Sequence, residues 1–322
     1  MKILFITDNF PPEVNAPASR TYDHCKRWAK KGADVTVITC APNFPQGKVY
    51  EGYKNRLYQT EEIDGIKVIR VWSYISANEG FIKRIIDYTS FAFMAFWAGL
   101  FKSCDIIIAT SPQFFTTFTG WALSKLKRRP WVFELRDLWP ESIITVGAME
   151  KSKTIEFFEK IEHFMYRSAD MIIPVTNAFK KHLMQRNIPE NKIHVITNGV
   201  DQKLFPFNEK NSDLIINLEL SGKFIVGYIG THGMAHSLDF IINSLAHIND
   251  PDIHFLFVGD GAMRKVIIEQ AEELELKNVT FLPPVSKIAV LDYVGICDAV
   301  LVPLKKSDTF KAVIPSKIFK SA

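Results

Sequence analysis

The sequence predicts an α/β protein built from two doubly wound parallel sheets. Short apolar strands alternate with helical segments along the 322 residues, and this alternation is typical of βαβ units. The rhythm restarts in the second half of the chain, after a linker near Phe205-Pro206-Phe207. We therefore expect a Rossmann-like domain at residues 1–204 and a second, incomplete one at residues 205–322, with their ligand edges facing a shared cleft.

The first domain begins with a βαβ unit whose first loop is a candidate ligand site. The loop follows the carboxyl end of the first strand, where doubly wound sheets bind ligands. It contains Asn15-Ala16 where a dinucleotide fingerprint would have glycines, and Arg20 either reaches an anion or lies in solvent. The predicted elements are a strand at Lys2–Thr7, the loop at Asp8–Ser19, a helix at Ser19–Lys31 and a strand at Val35–Thr39.

A charged pair, Arg136-Asp137, marks a second candidate site in this domain. It directly follows the apolar string WVFEL and precedes Trp139-Pro140, so it lies at the carboxyl end of a predicted strand. The alternative is an ion pair that caps the next helix. The remaining predicted strands are Asp105–Ala109, Trp131–Leu135, Met171–Val175 and His194–Ile196, and the helices are Trp121–Arg129 and Asn177–Arg186.

An uncharged run of fourteen residues, Tyr88–Phe101, raises the question of a membrane. It is shorter than the roughly twenty residues that cross a bilayer, so it is either a buried core helix or a helix that touches lipid. Lys83, Arg84 and Lys102 flank it. Residues 1–200 carry 27 Lys and Arg against 20 Asp and Glu, which favours an anionic partner such as a membrane surface or a pyrophosphate.

The second domain opens on the string GYIGTHGMAHSLD, which combines a strand, a glycine loop and a helix start. Backbone N–H groups and the helix dipole make such a turn a suitable anion site, to which His232 and His236 would add donors. A tight βα turn without a ligand is the alternative. Ser237 is the expected N-cap of the helix. The predicted strands are Phe224–Ile229, His254–Val258, Thr280–Leu282 and Ala299–Val302, and the helices are Leu238–His247, Ala262–Leu274 and Ile288–Gly295.

The cysteines and the two ends of the sequence limit the class of protein further. The four cysteines are scattered without a CxxC pair, which favours reduced cytosolic thiols over a disulfide frame or a zinc site. The N-terminus reaches Asp8 and two prolines too soon for a signal peptide. Ile314–Ala322 has the pattern of a helix that has just begun, so we expect a truncated chain.

Ordered motifs along the whole chain resemble bacterial glycosyltransferases of family 4, which have the GT-B fold. The motifs are PPE near the start, VFELRDLWPES, ITNGVD, GYIGTHG, FVGDG and IPSKIF. The resemblance implies transfer of a sugar, with retention, from a nucleotide diphosphate (UDP favoured) to a lipid-diphosphate-linked saccharide in O-antigen, capsule or exopolysaccharide synthesis. It implies undecaprenyl-diphosphate as the lipid, location on the inner face of the cytoplasmic membrane, and no metal, cofactor or nucleic acid.

The resemblance also assigns residues. Arg136 and Asp137 would lie near the reacting sugar, with Asn15, Ala16 and Arg20 on the acceptor side. Gly230, Thr231, His232, Gly233 and Lys317 would hold the diphosphate and donor sugar, and Gly259, Asp260, Gly261, Val285 and Ser286 would lie on the nucleoside side. The family usually carries two glutamates eight positions apart around IPSKIF, where this sequence has Ala312 and Lys320.

Two other functions remain open from the sequence. A non-catalytic module that binds a nucleotide sugar or a lipid is consistent with Lys320 and the short C-terminus. An NAD-dependent epimerase or dehydrogenase would need GxGxxG after the first strand, and that fingerprint is missing.

Overall fold

The computed structural model contains two compact units, Met1–Thr197 and Asn198–Ala322, called the N-terminal and C-terminal units below. Each unit has its own sheet, so the predicted pair of α/β sheets is confirmed. The predicted boundary between residues 204 and 205 lies outside the described residues and stays a prediction. The structure describes residues 1–44, 46–76, 81–111, 114–141, 152–199, 210–286, 289–315 and 317–321.

The N-terminal unit is built on a seven-stranded sheet in the order β3-β4-β2-β1-β5-β6-β7. All neighbours are parallel except β3 and β4. The strands are β1 Lys2–Ile6, β2 Asp34–Cys40, β3 Tyr58–Ile63, β4 Ile66–Val71, β5 Ile106–Thr110, β6 Trp131–Leu135 and β7 Met171–Pro174.

Helices cover both faces of this sheet, and the core between them is apolar. Ile3, Phe5 and Val37 are among its buried residues. The helices are α1 Ala16–Lys30, α2 Phe81–Leu100, α3 Phe114–Lys127, α4 Lys153–Ser168 and α5 Asn177–Gln185.

A β-hairpin in this unit was not predicted from the sequence. Strands β3 and β4 pair antiparallel across Asp64-Gly65, and both turn residues have positive φ angles, 51° and 77°. An Asp-Gly pair between alternating apolar residues is the signal of such a hairpin. The hairpin adds an antiparallel edge to an otherwise parallel sheet.

Two predicted elements of the N-terminal unit were wrong. Residues 194–196 form no strand, although His194 and Ile196 donate backbone hydrogen bonds to Ile172 and Pro174. Helix α3 begins at Phe114 and not at Trp121, because the Phe- and Thr-rich string before Trp121 is helical despite its strand propensity.

Helix α2 contains most of the uncharged run and has two different faces. Phe91 and Ala95 are buried, whereas Phe93 and Trp97 are 62% and 47% exposed. One face is therefore part of the core and the other is an exposed aromatic surface. Across the described residues, no helix is both long enough and apolar enough to span a bilayer.

The C-terminal unit is built on a parallel four-stranded sheet in the order β10-β9-β8-β11. The predicted strands are confirmed, but β11 contains two residues where four were expected. The strands are β8 Phe224–Ile229, β9 Ile253–Val258, β10 Val279–Leu282 and β11 Ala299–Val300. The helices are α6 Ser212–Asn217, α7 Leu238–Leu245, α8 Arg264–Glu273, α9 Ala289–Gly295, α10 Asp308–Lys311 and α11 Ile318–Ser321.

Candidate active site

In the N-terminal unit, Arg136 ties the end of β6 to the start of α1. Its guanidinium donates to the carbonyls of Ala16 and Pro17 at 3.0 and 3.1 Å. Its backbone N–H donates to Ser111 Oγ, which also accepts from the N–H of Asp137. The loops that follow β1, β5 and β6 are therefore joined at one edge of the sheet.

Arg20 is buried and makes a second connection at this edge. Its Nε donates to Glu134 Oε1 at 2.9 Å, and its other nitrogens donate to the carbonyls of Ile196 and Thr197. The neighbouring guanidiniums lower the pKa of Glu134 against the opposing effect of burial. These contacts give Arg20 a structural role, and the solvated alternative considered from the sequence is wrong.

Asn15 caps helix α1, and Asp137 is half-buried at the end of β6. Asn15 Oδ1 accepts from the N–H of Ala18 at 2.8 Å, and its amide donates to Asn9. Ala16 is the first residue of the helix. Asn15, Ala16, Arg20, Arg136 and Asp137 thus belong to one edge of one sheet, and their assignment to an acceptor or a reacting sugar stays a prediction.

Sequence reasoning assigned no role to a cavity at this same edge. Its volume is about 250 Å³, and we call it the acidic cavity. Three carboxyl groups line it, together with Arg84. The carboxyl groups belong to Asp8, Glu13 and Asp87. The PPE motif was noticed for its resemblance, but no local pattern brings Asp87 from helix α2 to the same place.

In the C-terminal unit, two glycine loops pack directly against each other at the carboxyl ends of β8 and β9. The N–H of Gly230 donates to Val258, and the N–H of His232 donates to Asp260, both at 2.8 Å. Gly259 has a φ of 145°, and a Cβ on it would lie 2.0 Å from the carbonyl oxygen of Gly230. Only glycine fits there, so the two loops form one surface, called the glycine edge below.

Lys317 reaches this edge from the C-terminal segment. Its ammonium donates to the Tyr228 hydroxyl at 2.6 Å and lies 3.8 Å from the centre of the Tyr228 ring. A Cβ on Gly230 would lie 2.6 Å from Lys317 Cε, so the glycine makes room for the lysine. Burial lowers the pKa of Lys317 to about 7. The alternative of a surface lysine, considered from the sequence, is wrong.

Two histidines complete the glycine edge. His232 is fully buried between the rings of Tyr228 and Phe257, and neither ring nitrogen has a hydrogen-bond partner among the described residues. His236 Nδ1 lies 3.3 Å from the carbonyl of Pro303. Burial lowers the pKa of each histidine to about 4, with a contribution from Lys317, so both are neutral at pH 7.

The start of helix α7 differs from the prediction. Ser237 has left-handed backbone angles, φ 44° and ψ 45°, and its side chain makes no capping hydrogen bond. A 3₁₀ turn at Met234–His236 precedes it and brings the chain to the helix in this conformation. Ser237 therefore occupies the N-cap position, but the expected capping bond was wrong.

The remaining predicted donor residues lie around the same loops. Asp260 Oδ1 accepts from the N–H of Gly261, and Gly261 has a φ of 153°. Ser286 Oγ accepts from the N–H of Ala289, the first residue of helix α9, and Val285 packs on the core. Thr231 is exposed and Gly233 begins the 3₁₀ turn, and every ligand contact assigned to these residues stays a prediction.

No group of three or more His, Cys, Asp or Glu side chains suited to a metal ion occurs in the parts of the chain that the structure describes. Ala312 is half-buried after helix α10, and the Lys320 side chain lies outside the described residues.

Comparison with known proteins gives two family matches that follow each other along the chain. Residues 15–199 match the model of the glycosyl transferase 4-like domain. Residues 210–311 match the model of glycosyl transferases group 1. The two matches together span most of both units.

Curated relatives agree with this family. WcaI of Escherichia coli (strain K12), whose name assigns it to colanic acid biosynthesis, is 25% identical over 99% of this chain and 80% of its own length. TuaH of Bacillus subtilis (strain 168), whose name assigns it to teichuronic acid biosynthesis, is 28% identical over 59% of this chain and 47% of its own length.

Solved structures show the same fold. The crystal structure of Anabaena HepE in complex with UDP-glucose matches with a TM-score of 0.65 at 19% identity, over 93% of this chain and 73% of that chain. The fold is therefore that of GT-B glycosyltransferases, as predicted. Because the model of the glycosyl transferase 4-like domain covers residues 15–199, more than half of the sequence, the chain belongs to this family of glycosyltransferases.

Proposed function

We propose that the chain transfers a sugar from UDP-sugar to a lipid-diphosphate-linked saccharide, with retention at the anomeric carbon, in the synthesis of a surface polysaccharide. The single observation that carries the proposal is the glycine edge, where close-packed loops place backbone and a lysine at one point. The group 1 family supplies the reaction class. HepE, which has the same fold, was solved with UDP-glucose, and this supports a UDP-sugar donor.

The glycine edge suits a diphosphate for two physical reasons. Gly230 and Gly259 let the two loops pack closely and leave room for Lys317, and helix α7 begins eight residues after Gly230. Lys317 adds a half-buried ammonium whose pKa is lowered by burial, so an anion beside it would stabilise the charged form. A leaving nucleoside diphosphate gains negative charge in the transition state, which these groups would stabilise.

The reaction breaks the bond between the anomeric carbon and the diphosphate oxygen, and forms a bond from that carbon to an acceptor hydroxyl. The acceptor proton passes to the leaving diphosphate when attack comes from the same face. In this scheme no side chain forms a covalent bond to the sugar. Asp137, at the carboxyl end of β6, is proposed to lie near the reacting sugar, and Arg136 to hold the loops around it.

A lipid-linked acceptor is supported by helix α2. Its exposed face carries Phe93 and Trp97, and Phe101 beyond its end is 80% exposed. Aromatic side chains beside lysines and arginines are typical of surfaces that lie at a lipid headgroup boundary. We therefore place the enzyme on the cytoplasmic face of the membrane, with the names of WcaI and TuaH supporting a polysaccharide product.

The test is consumption of nucleotide sugar in the presence of undecaprenyl-diphosphate-linked saccharides, compared with the same mixture without acceptor. The proposal predicts acceptor-dependent release of UDP. No turnover with any UDP- or GDP-sugar, by a protein that binds the nucleotide, would favour the non-catalytic binding module instead. No binding of nucleotide either would contradict both functions.

A further inference from the structure

Tyr228 lies beside the glycine edge and makes two short hydrogen bonds through one oxygen. It belongs to strand β8 and is only 1% exposed. Its hydroxyl donates to the carbonyl of Thr231 at 2.6 Å and accepts from the Lys317 ammonium at the same distance. The phenol therefore uses both its donor and its acceptor, and it joins the loop after β8 to the C-terminal segment.

The ring of Tyr228 is fixed by packing. Three other rings, those of Phe257, His232 and His236, lie with their centres 5.6–6.0 Å from its own. Tyr228 is also part of the apolar core of the C-terminal unit. A hydroxyl on such a ring has a defined position, and it can restrict a partner whose own stem is flexible, as the four-carbon stem of lysine is.

The Lys317 ammonium needs such a partner. Burial disfavours its charged form and lowers its pKa to about 7. Tyr228 offers it two contacts, the hydrogen bond to the hydroxyl and the ring centre at 3.8 Å. A hydrogen bond from a charged donor usually contributes more than a cation–π contact at a half-exposed site. We therefore expect the hydroxyl, more than the ring, to hold the ammonium in place.

The same hydroxyl fixes the glycine loop. The peptide group between Thr231 and His232 has its carbonyl bonded to Tyr228 and its N–H bonded to the carbonyl of Asp260 at 2.8 Å. Both polar groups of this peptide are thus paired, on opposite sides of its plane. Loss of the hydroxyl would release the carbonyl side and leave the N–H side bonded.

We infer that Tyr228 is a positioning residue of the donor site, whose hydroxyl keeps the Lys317 ammonium and the Thr231 carbonyl together at the glycine edge. The inference rests on the proposed function and adds to it a residue that acts through Lys317 without touching the substrate. The alternative is a tyrosine that only fills the core, and in that role phenylalanine would serve as well.

NMR of protein with isotope-labelled lysine tests the position of Lys317 without any ligand. Its CεH₂ group lies next to the ammonium, so the ring current of residue 228 should move its signal upfield, and Lys317→Met identifies that signal. Tyr228→Phe is the informative variant, because it keeps the ring and removes only the hydroxyl. Tyr293→Phe is the matched control, since Tyr293 is a half-buried tyrosine of helix α9 in the same unit.

The expected result is an upfield Lys317 signal in the unaltered protein and in Tyr293→Phe, and its return to the position of exposed lysines in Tyr228→Phe. An upfield signal that persists in Tyr228→Phe would overturn the inference. Circular dichroism melting shows whether this variant is folded. If it is not, the unaltered protein decides, because an upfield signal that Lys317→Met removes supports the contact and the absence of one overturns it.

Calorimetric titration of UDP at pH 6, where Lys317 is charged, tests the link to the donor. Tyr228→Phe should weaken UDP binding by about tenfold, as Lys317→Met does. In the Lys317→Met background the same change should weaken it by less than about threefold, the part that comes from the released Thr231 carbonyl. Tyr293→Phe should have no effect in either background.

Equal losses in the two backgrounds would show that Tyr228 acts on the fold and not through Lys317, and would overturn the inference. UDP binding that is undiminished in Tyr228→Phe would overturn it as well. If the unaltered protein binds none of UDP, GDP and ADP, the proposed donor site is rejected, and the NMR signal alone decides whether Tyr228 holds Lys317.

Discussion

The two units present different chemistry at the same structural position, the carboxyl ends of their parallel strands. In the N-terminal unit this edge carries the carboxyl groups of Asp8, Glu13 and Asp137. In the C-terminal unit it carries close-packed glycines, two neutral histidines and Lys317. A sheet edge thus sets where a ligand binds, while the loop residues set which ligand it is.

The net charge of each half of the sequence suggests a different distribution of charge from the one found at these edges. Residues 1–200 have the excess of Lys and Arg, which favoured an anionic partner for that half. Yet the charged groups that line the acidic cavity are three carboxyl groups and Arg84, and Arg20 and Arg136 are turned to Glu134 and to backbone carbonyls. Net charge is therefore a poor guide to a site whose cations are engaged inside the fold.

The largest effect is expected from Asp137→Asn, which separates chemistry from donor binding. Because Asp137 is proposed to lie near the reacting sugar, the rate of transfer should fall by about 10²-fold or more. Protection of the protein against heat by UDP should be unchanged, since the nucleotide is proposed to bind the C-terminal unit. Steady-state turnover and thermal melting measure the two effects.

Asp34→Asn is the control for this variant, since Asp34 is a half-exposed partner of Lys67 in the same unit. Its turnover should equal that of the unaltered protein. Unchanged turnover in Asp137→Asn would remove Asp137 from the reacting site.

Gly259→Ala should disrupt the glycine edge of the C-terminal unit and leave the N-terminal unit intact. The new Cβ would lie 2.0 Å from the Gly230 carbonyl at a φ of 145°, so the variant should lose about 2–4 kcal/mol of unfolding free energy and its UDP binding. Urea unfolding followed by circular dichroism measures the change. Gly295→Ala is the matched control, because its Cβ meets nothing within 4 Å and the variant should be as stable or more stable. Equal stability of the two variants would contradict the close packing of the loops.

Lys317→Met tests the charge at the glycine edge and its pH dependence. Removing the ammonium should weaken UDP binding by about tenfold, or about 1.4 kcal/mol. With a pKa of about 7, Lys317 is charged below pH 7, and above it UDP binding must take up a proton. The affinity should therefore fall by about tenfold in total as pH rises from 7 to 9, the same loss that removal of the ammonium causes, and this dependence should be flatter in Lys317→Met.

Calorimetric titration of UDP at pH 6, 7, 8 and 9 supplies this measurement. Lys311→Met is the control, because Lys311 belongs to helix α10, outside the residues proposed to contact the donor. A slope that is the same in the Lys317 variant would assign the pH dependence to another group.

The smallest effect is expected at helix α2. Phe93→Ser should weaken binding to vesicles of anionic lipid by about 1 kcal/mol, or about fivefold, because it removes an exposed apolar side chain from the proposed lipid surface. Phe224→Ser is the control from the C-terminal unit, where Phe224 is 49% exposed. Cosedimentation with vesicles compares them, and equal losses would show that the aromatic face of α2 is not special.

Structural features that come from a local sequence pattern could be predicted, whereas features that come from contacts between distant residues could not. The strand-loop-helix order was predictable because apolar strands and glycine turns are local patterns, as at Phe224–Ile229. The hairpin at Asp64-Gly65 also had a local signal, but the strands beside it alternate weakly. The buried pair of Arg20 and Glu134 joins residues far apart in sequence and had no local signal.

The candidate sites show the same limit. The glycine edge was predicted because its loops are contiguous strings with an identifiable backbone requirement. The acidic cavity was not, because it needs Asp8, Glu13 and Asp87 from two separate segments. The sequence also did not predict which side chains a site residue contacts. Lys317 was predicted as a site residue, but its position over the ring of Tyr228 was not.

The most direct test of the central claim is the melting temperature of the full chain with UDP, GDP or ADP. We expect UDP to raise the melting temperature and Lys317→Met to reduce the rise, while Glu62→Gln, a change at an exposed glutamate of the N-terminal unit, leaves it unchanged. Absence of any rise with all three nucleotides, or an equal rise in the Lys317 variant, would contradict nucleotide diphosphate binding at the glycine edge.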